Sequence, residues 1–223
     1  MAEHGHAGIG QPSRKAPELN ETWPTRLFVV DVEGNGHAPP DLIEIAAVPV
    51  SGGQPGAAHQ WLIRPPRPIQ ERVARIHGIH DADVAEAPTW GRVAGQVREL
   101  LDGAWIVAHS ATVEYSALTR HLPGWQPAGV LDTLRLARAT LPDAPGHGLD
   151  ALIDHCAIDT RAIPGRRHRA AYDAIATALL LHHLARHYPT WTDMAAIAVP
   201  TGLPGAPQPT PTEDDGFGPF GVA

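Results

Sequence analysis

The hydrophobic period of this chain changes partway along it, and that change limits the possible fold more than any other feature. Between residues 26 and 65, three runs (RLFVVDVE, DLIEIAAVPV and HQWLIRP) are rich in branched and apolar residues and are separated by Gly- and Pro-containing turns, the pattern of strands. Their short connections favour antiparallel neighbours, hence an opening meander. From Thr89 to Leu101 the spacing becomes helical: Trp90, Val93, Ala94, Val97, Leu100 and Leu101 share one face, with Thr89 as N-cap and Gly103 as stop. AWIVAH, residues 104–109, then reads as a buried strand and ATVEYSALTRHL as a helix. LDTLRLARATL and GLDALIDHCAI give two short helices, each with an Asp near its start. Ala171, Ile175, Ala176, Leu179, Leu180 and Leu184 mark a long amphipathic helix from near Arg169. Strands first and helices later describe an α/β layer fold with a mixed sheet.

A chain of 223 residues can bury one sizeable core. The expected domain spans residues 24–190. Residues 1–23 read as a flexible lead-in, and the Pro/Gly-rich stretch 199–223 reads as a disordered tail. With 43% apolar and 18% charged residues the composition is that of a soluble globular protein. The net charge of -7 excludes broad electrostatic adhesion to nucleic acid, so such a partner must be gripped locally. Cys156 has no second cysteine to pair with, and its helical apolar position marks it as a small core residue in a reducing compartment. No apolar run is long enough to cross a bilayer, and the first twenty residues lack the apolar core of an export signal. The expectation is a cytoplasmic protein with no membrane partner.

The first strand ends in an unusual way. Asp31 and Glu33 are two apart, so on a strand they face the same side, and Gly34 breaks the run. Two carboxylates held that close repel unless a positive charge sits between them, although a solvated turn gives the same short pattern. Glu114 lies one turn into the helix after AWIVAH, Asp173 lies on the last helix, and His168 stands where a loop enters that helix. If strand 104–109 pairs beside strand 27–33, Asp31, Glu33 and Glu114 meet at one sheet edge, and Asp173 joins them when the last helix packs across it. Oxygen donors with one histidine and no cysteine suit hard cations such as Mg²⁺ or Mn²⁺. Two such ions, about 3.5 to 4 Å apart, hold the attacking and leaving oxygens of a phosphodiester. Histidine is the side chain that exchanges a proton near neutral pH, which suits His168 to take one from the attacking water.

The order DVE, RIHGIHDADV (75–84), VAHSATVEYSAL (107–118), LDTLRLARATLP (131–142) and HRAAYDAIATALLLHHL (168–184) resembles the DEDDh 3'-5' exonucleases, a family that includes the proofreading epsilon subunit of bacterial DNA polymerase III. The resemblance spans about residues 27–185. It implies a ribonuclease H-like fold, a mixed five-stranded sheet flanked by helices, and release of nucleoside monophosphates from the 3' end of single-stranded DNA or RNA. It implies two divalent cations, Mg²⁺ or Mn²⁺, with Asp31 bridging both and Glu33, Glu114 and Asp173 completing their shells. His168 takes the place of the general base, and His77 and Gly78 lie near the terminal nucleotide. A DNA polymerase or repair protein is the implied protein partner. The rival reading is a module of the same fold that binds a nucleic-acid end or a polymerase without cutting.

Four positions depart from the family pattern: Glu114 for Asp, Ser110 for Asn, Val113 for Phe and Gly34 for Thr. Gly34 and Ser110 still flank the expected substrate position. Arg161, Arg166, Arg167 and Arg169 surround His168, a local basic loop suited to phosphate, with Arg167 as the expected contact. Glu44 either approaches the site from the second strand or is a rim carboxylate. Asp132 is either a supporting acid or an ordinary N-cap. His183 and His187 have metal-pair spacing, but His182 beside them favours a solvated face.

Overall fold

A computed structural model describes residues 23–207. Six strands form one sheet: β1 (Leu27–Gly34), β2 (Leu42–Ser51), β3 (Gln54–Pro55), β4 (His59–Leu62), β5 (Trp105–Ala108) and β6 (Gly129–Asp132). Among the described residues eight helices accompany them: α1 (Glu71–His77), α2 (Asp81–Val84), α3 (Trp90–Leu101), α4 (Thr112–His121), α5 (Thr133–Thr140), α6 (Leu149–His155), α7 (Ala170–Ala185) and α8 (Trp191–Ala198). The sheet order is β3-β2-β1-β5-β6, with β4 also paired to β2. β1, β2 and β4 make the expected antiparallel meander, and β5 and β6 add in parallel beside β1, so the sheet is mixed.

The apolar run of β1 is continuous because both of its faces are covered. Leu27 and Val29 pack with Ala46, Val48, Val107 and Leu131 under α5 to α8. Phe28 and Val30 pack with Ile45, Ala47 and Ile106 under α3 and α4. The alternation of a strand therefore assigns Asp31 and Glu33, which share the parity of Leu27 and Val29, to the α7 face. Alanines at 170, 174, 176 and 178 are buried on α7, so that helix lies close against the sheet, with Leu180, Leu181 and Leu184 filling the space behind them. Each buried leucine contributes about 1.5–3 kcal/mol of transfer free energy.

Three details differ from the sequence reading. The sheet has six strands where five were expected: the two-residue β3 adds one, and β6 occupies Gly129–Asp132, where the pattern gave only the start of a helix. A Cβ on Gly129 would overlap the Trp105 ring, so a glycine stands inside this strand because Trp105 packs on its backbone. Thr89 makes no side-chain cap to α3. The packed chain also runs beyond residue 190. Trp191, Met194, Ala195 and Ala198 of α8 join the core, Thr190 caps α8 by accepting from the Asp193 N–H, and Val130 N–H donates to the Pro204 carbonyl at 2.9 Å. The first residues of the expected tail thus pack against β6. The expected lead-in, through residue 22, and the expected tail from residue 208 lie outside the described residues. No helix among the described residues is long and apolar enough to cross a membrane.

Candidate functional site

β1 and α7 bring three carboxylates together. Oxygens of Asp31, Glu33 and Asp173 all lie within 4.8 Å of one another. Asp31 and Glu33 project from the end of β1 toward α7, and Asp173 sits in the first turn of that helix. Glu114, in the first turn of α4, is buried and stands outside this group of three; its Oε2 has no hydrogen-bond partner. Its charge is nevertheless the carboxylate that weighs most on Asp31.

The electrostatics follow from burial among like charges. Burial, then the charges of Glu114, Glu33, Asp173 and Glu44, holds the Asp31 carboxyl well above the usual carboxylate range. Burial and Asp173 push Glu33 up to about 8. Burial and Asp132 push Glu114 up to about 8. Burial pushes Asp173 up to about 6 against the pull of His168. Four such groups cannot all ionise at neutral pH without a counter-charge. An all-oxygen donor set that includes an unpartnered buried Oε2 fits a hard divalent cation and does not fit a thiolate or imidazole metal.

His168 precedes α7 in the left-handed region, φ 61°, and its backbone N–H donates to Asp173 Oδ2 at 3.0 Å. Its side chain is exposed at the rim of the cluster. Ser110 also has a positive φ, 75°, and its N–H donates to Asp132 Oδ1 at 3.0 Å. Asp132 accepts the Leu134 N–H at 2.8 Å as well, so it is both the N-cap of α5 and a support for Ser110. A Cβ on Gly34 would lie 2.9 Å from Pro40 Cβ, which accounts for glycine after Glu33 in this chain. The buried His77 receives the Ile79 N–H on Nδ1 at 3.0 Å, so its neutral ring carries the proton on Nε2; burial lowers its pKa. Gly78 closes α1 at φ 65°, and the Arg166 guanidinium lies where its Cβ would be, donating to the His77 carbonyl at 3.0 Å.

The arginine loop is less available than its composition indicates. Arg161 pairs with Asp159 at 2.6 Å, and Arg167 faces Asp150 at 3.2 Å and Asp154 at 3.3 Å. Arg166 holds α1. Arg169 is paired with Glu44 at 2.7 Å. Glu44 itself is fully buried and lies opposite Glu33, so it approaches the site from the second strand and is not a rim acid, though it stands outside the close carboxylate group. This engagement was not legible in the sequence: a lone acid among strand apolars signals an unusual environment, but its partner lies 125 residues away. His109 was missed too; it bonds Thr133 Oγ1 at 3.0 Å and the His147 carbonyl at 2.9 Å, joining the end of β5 to α5 and to the loop before α6. His183 and His187 have ring centroids 6.3 Å apart, but they join no group of three ligands among the described residues. His187 is exposed and His183 half-buried, whereas the neighbouring His182 turns its Nδ1 inward against Gly53.

The model of the Exonuclease family (RNase_T) matches residues 28–181. The DNA polymerase III subunit epsilon-like protein of Rhodobacter capsulatus is 36% identical over 161 residues, 68% of this chain and 22% of that protein. The 3'-5' exonuclease DinG of Bacillus subtilis is 32% identical over 162 residues, 70% of this chain and 17% of that protein. The chain thus spans about a fifth of the length of these relatives. Exonuclease X, solved in complex with 5' overhanging duplex DNA, superposes with a TM-score of 0.65 at 30% identity, covering 77% of this chain and 97% of that one. Exonuclease I shares the fold at a TM-score of 0.62 and 16% identity, over 74% of this chain and 42% of that one. With the family model matched over residues 28–181, more than half of its length, the chain belongs to the exonuclease family and has its ribonuclease H-like fold.

Proposed function

We propose that this protein is a 3'-5' exonuclease that uses two Mg²⁺ or Mn²⁺ ions to release nucleoside monophosphates from the 3' end of single-stranded DNA or RNA. The observation that carries the reading is the convergence of Asp31, Glu33 and Asp173 within 4.8 Å. Ions bound there supply charge for the attacking and leaving oxygens of the scissile phosphodiester. Asp31, Glu33 and Asp173 hold them, and Glu114 closes the site from α4. His168, at the mouth of the cluster, takes the proton of the attacking water. His77, Gly78, Gly34 and Ser110 line the place of the terminal nucleotide, and Arg167 swings from Asp150 and Asp154 to a phosphate. Surface ion pairs of this kind are worth about 0–1 kcal/mol, so a phosphate competes for that arginine at little cost. A DNA polymerase or a repair protein is the proposed partner, by analogy with the epsilon subunit of Pasteurella multocida, 30% identical over 159 residues.

The test uses oligonucleotides labelled at the 5' end: single-stranded DNA, single-stranded RNA, and a duplex with a 5' overhang, the substrate form held by exonuclease X. With Mn²⁺ or Mg²⁺, a ladder shortening from the 3' end and mononucleotide products are expected, and EDTA should stop both. Intact substrate under every condition would refute the reading. Retention of the oligonucleotide by uncut complex would favour a binding module instead.

A further inference from the structure

Glu44 lies directly opposite Glu33 in the β1–β2 register, on the sheet face that carries Asp31 and Glu33. A carboxylate in that place would ordinarily join the cluster or repel it. Instead every lone pair is engaged. Gln60 Nε2 donates to Oε1 at 2.6 Å, Arg169 Nη2 to Oε1 at 2.7 Å, Arg169 Nε to Oε1 at 3.2 Å and Oε2 at 3.1 Å, and the Ala170 N–H to Oε2 at 2.9 Å. The side chain is 0% exposed. These bonds outweigh the cost of burial and hold the acid below its ordinary value.

The location of those donors gives the pair its significance. Arg169 is the N-cap residue of α7 and makes no cap with its own side chain. Glu44 supplies the missing acceptor from β2, at the helix end where a negative charge is favoured. One residue before Arg169 is His168, held at positive φ; four after it is Asp173. We propose that Glu44 is a positioning residue, which through Arg169 and the Ala170 N–H fixes the start of α7 and so sets His168 and Asp173 against Asp31 and Glu33. Arg169 has a second role in the same arrangement: it neutralises Glu44 and keeps that carboxylate out of the cation shell. The catalytic meaning of this placement rests on the exonuclease reading above, but the placement itself does not.

The test compares Glu44→Ala, Glu44→Gln and Arg169→Lys with the wild-type chain in three measurements: Mn²⁺ affinity by EPR titration, amide hydrogen exchange at His168 and Ala170, and kcat and KM on a single-stranded oligonucleotide. Removing an outer partner of metal ligands typically costs about 10–100-fold in affinity or activity. Glu44→Ala is therefore expected to weaken Mn²⁺ by about tenfold and lower kcat by about 10–100-fold, leave KM within about threefold and speed exchange at both amides. Glu44→Gln keeps an acceptor for Ala170 and should recover part of the loss. Arg169→Lys keeps the charge but not the two-pronged fork, and should fall between. If Glu44→Ala fails to fold, the comparison of Arg169→Lys with wild type decides. Folded variants with a lower Tm but unchanged Mn²⁺ affinity, exchange and kcat would overturn the proposal and leave the pair as a brace of the fold. A wild-type protein that releases no mononucleotide would refute the exonuclease reading, while the titration and exchange data would still decide the role of Glu44.

Discussion

The backbone N–H of His168 donates to Asp173 Oδ2 at 3.0 Å, so the proposed base and a proposed cation ligand are joined through main chain and not through the imidazole. The tie survives removal of the side chain. His168→Ala should therefore lower kcat by about 10²–10⁴-fold, the usual contribution of a general base, while Mn²⁺ binding persists. Steady-state kinetics and an EPR titration on the same preparation check this. A variant that keeps wild-type kcat would exclude His168 as the base.

Asp31→Ala removes the carboxylate at the centre of the repulsion. Loss of mononucleotide release is expected together with a higher Tm in EDTA at pH 8, because burial and four neighbouring acids oppose the Asp31 charge. Calorimetry beside a nuclease assay measures both. Unchanged release would remove Asp31 from the mechanism.

Stability without cations should fall as pH rises. Glu33 and Glu114 are raised from the ordinary value 4.5 to about 8, and Asp173 from 3.8 to about 6. The folded state thus retains protons that the unfolded chain has lost. The stability this confers is full below the unfolded values and is lost as pH rises through 6 and then 8. In EDTA, Tm is expected to be lower at pH 8.5 than at pH 5.5; Mn²⁺ should restore more of it at pH 8.5, where the ligands are ionised. A Tm in EDTA that rises with pH across this window would contradict the electrostatic account.

Glu114→Gln keeps the volume of the side chain and discards its charge. Its buried Oε2 lacks a partner in the protein, so the fold should survive and Tm in EDTA at pH 8 should rise. Nuclease activity should drop by at least about tenfold if the carboxylate closes the cation site. Activity equal to wild type would place Glu114 outside it.

Gly78→Ala tests the proposed wall of the nucleotide site. The residue sits at φ 65°, which costs a residue with a Cβ about 1–2 kcal/mol, and that Cβ overlaps the Arg166 guanidinium. Arg166 must leave the His77 carbonyl. A lower Tm and a raised KM for the oligonucleotide are expected, and an unchanged KM would detach this corner from substrate binding.

The sequence by itself determined the layer order and the sheet face that Asp31 and Glu33 share. Period-two runs followed by 3.6-period runs specify strands and then helices, because which face of each element is apolar is a local property. The parity of Asp31 and Glu33 is equally local, and so is the capping role of Asp132. The tertiary structure alone decided which acids share a cluster. Glu44 and Glu33 look alike in the sequence, as acids among strand apolars, yet one lies in the carboxylate group and the other is locked by Arg169. β6 was hidden for the same reason: Gly129 pairs with Trp105 of β5 and leaves room for its ring, a contact between residues far apart in the chain. Pairing energies depend on the distance between groups far apart in the chain, and that distance is set by how α7 packs on the sheet, which no local pattern encodes.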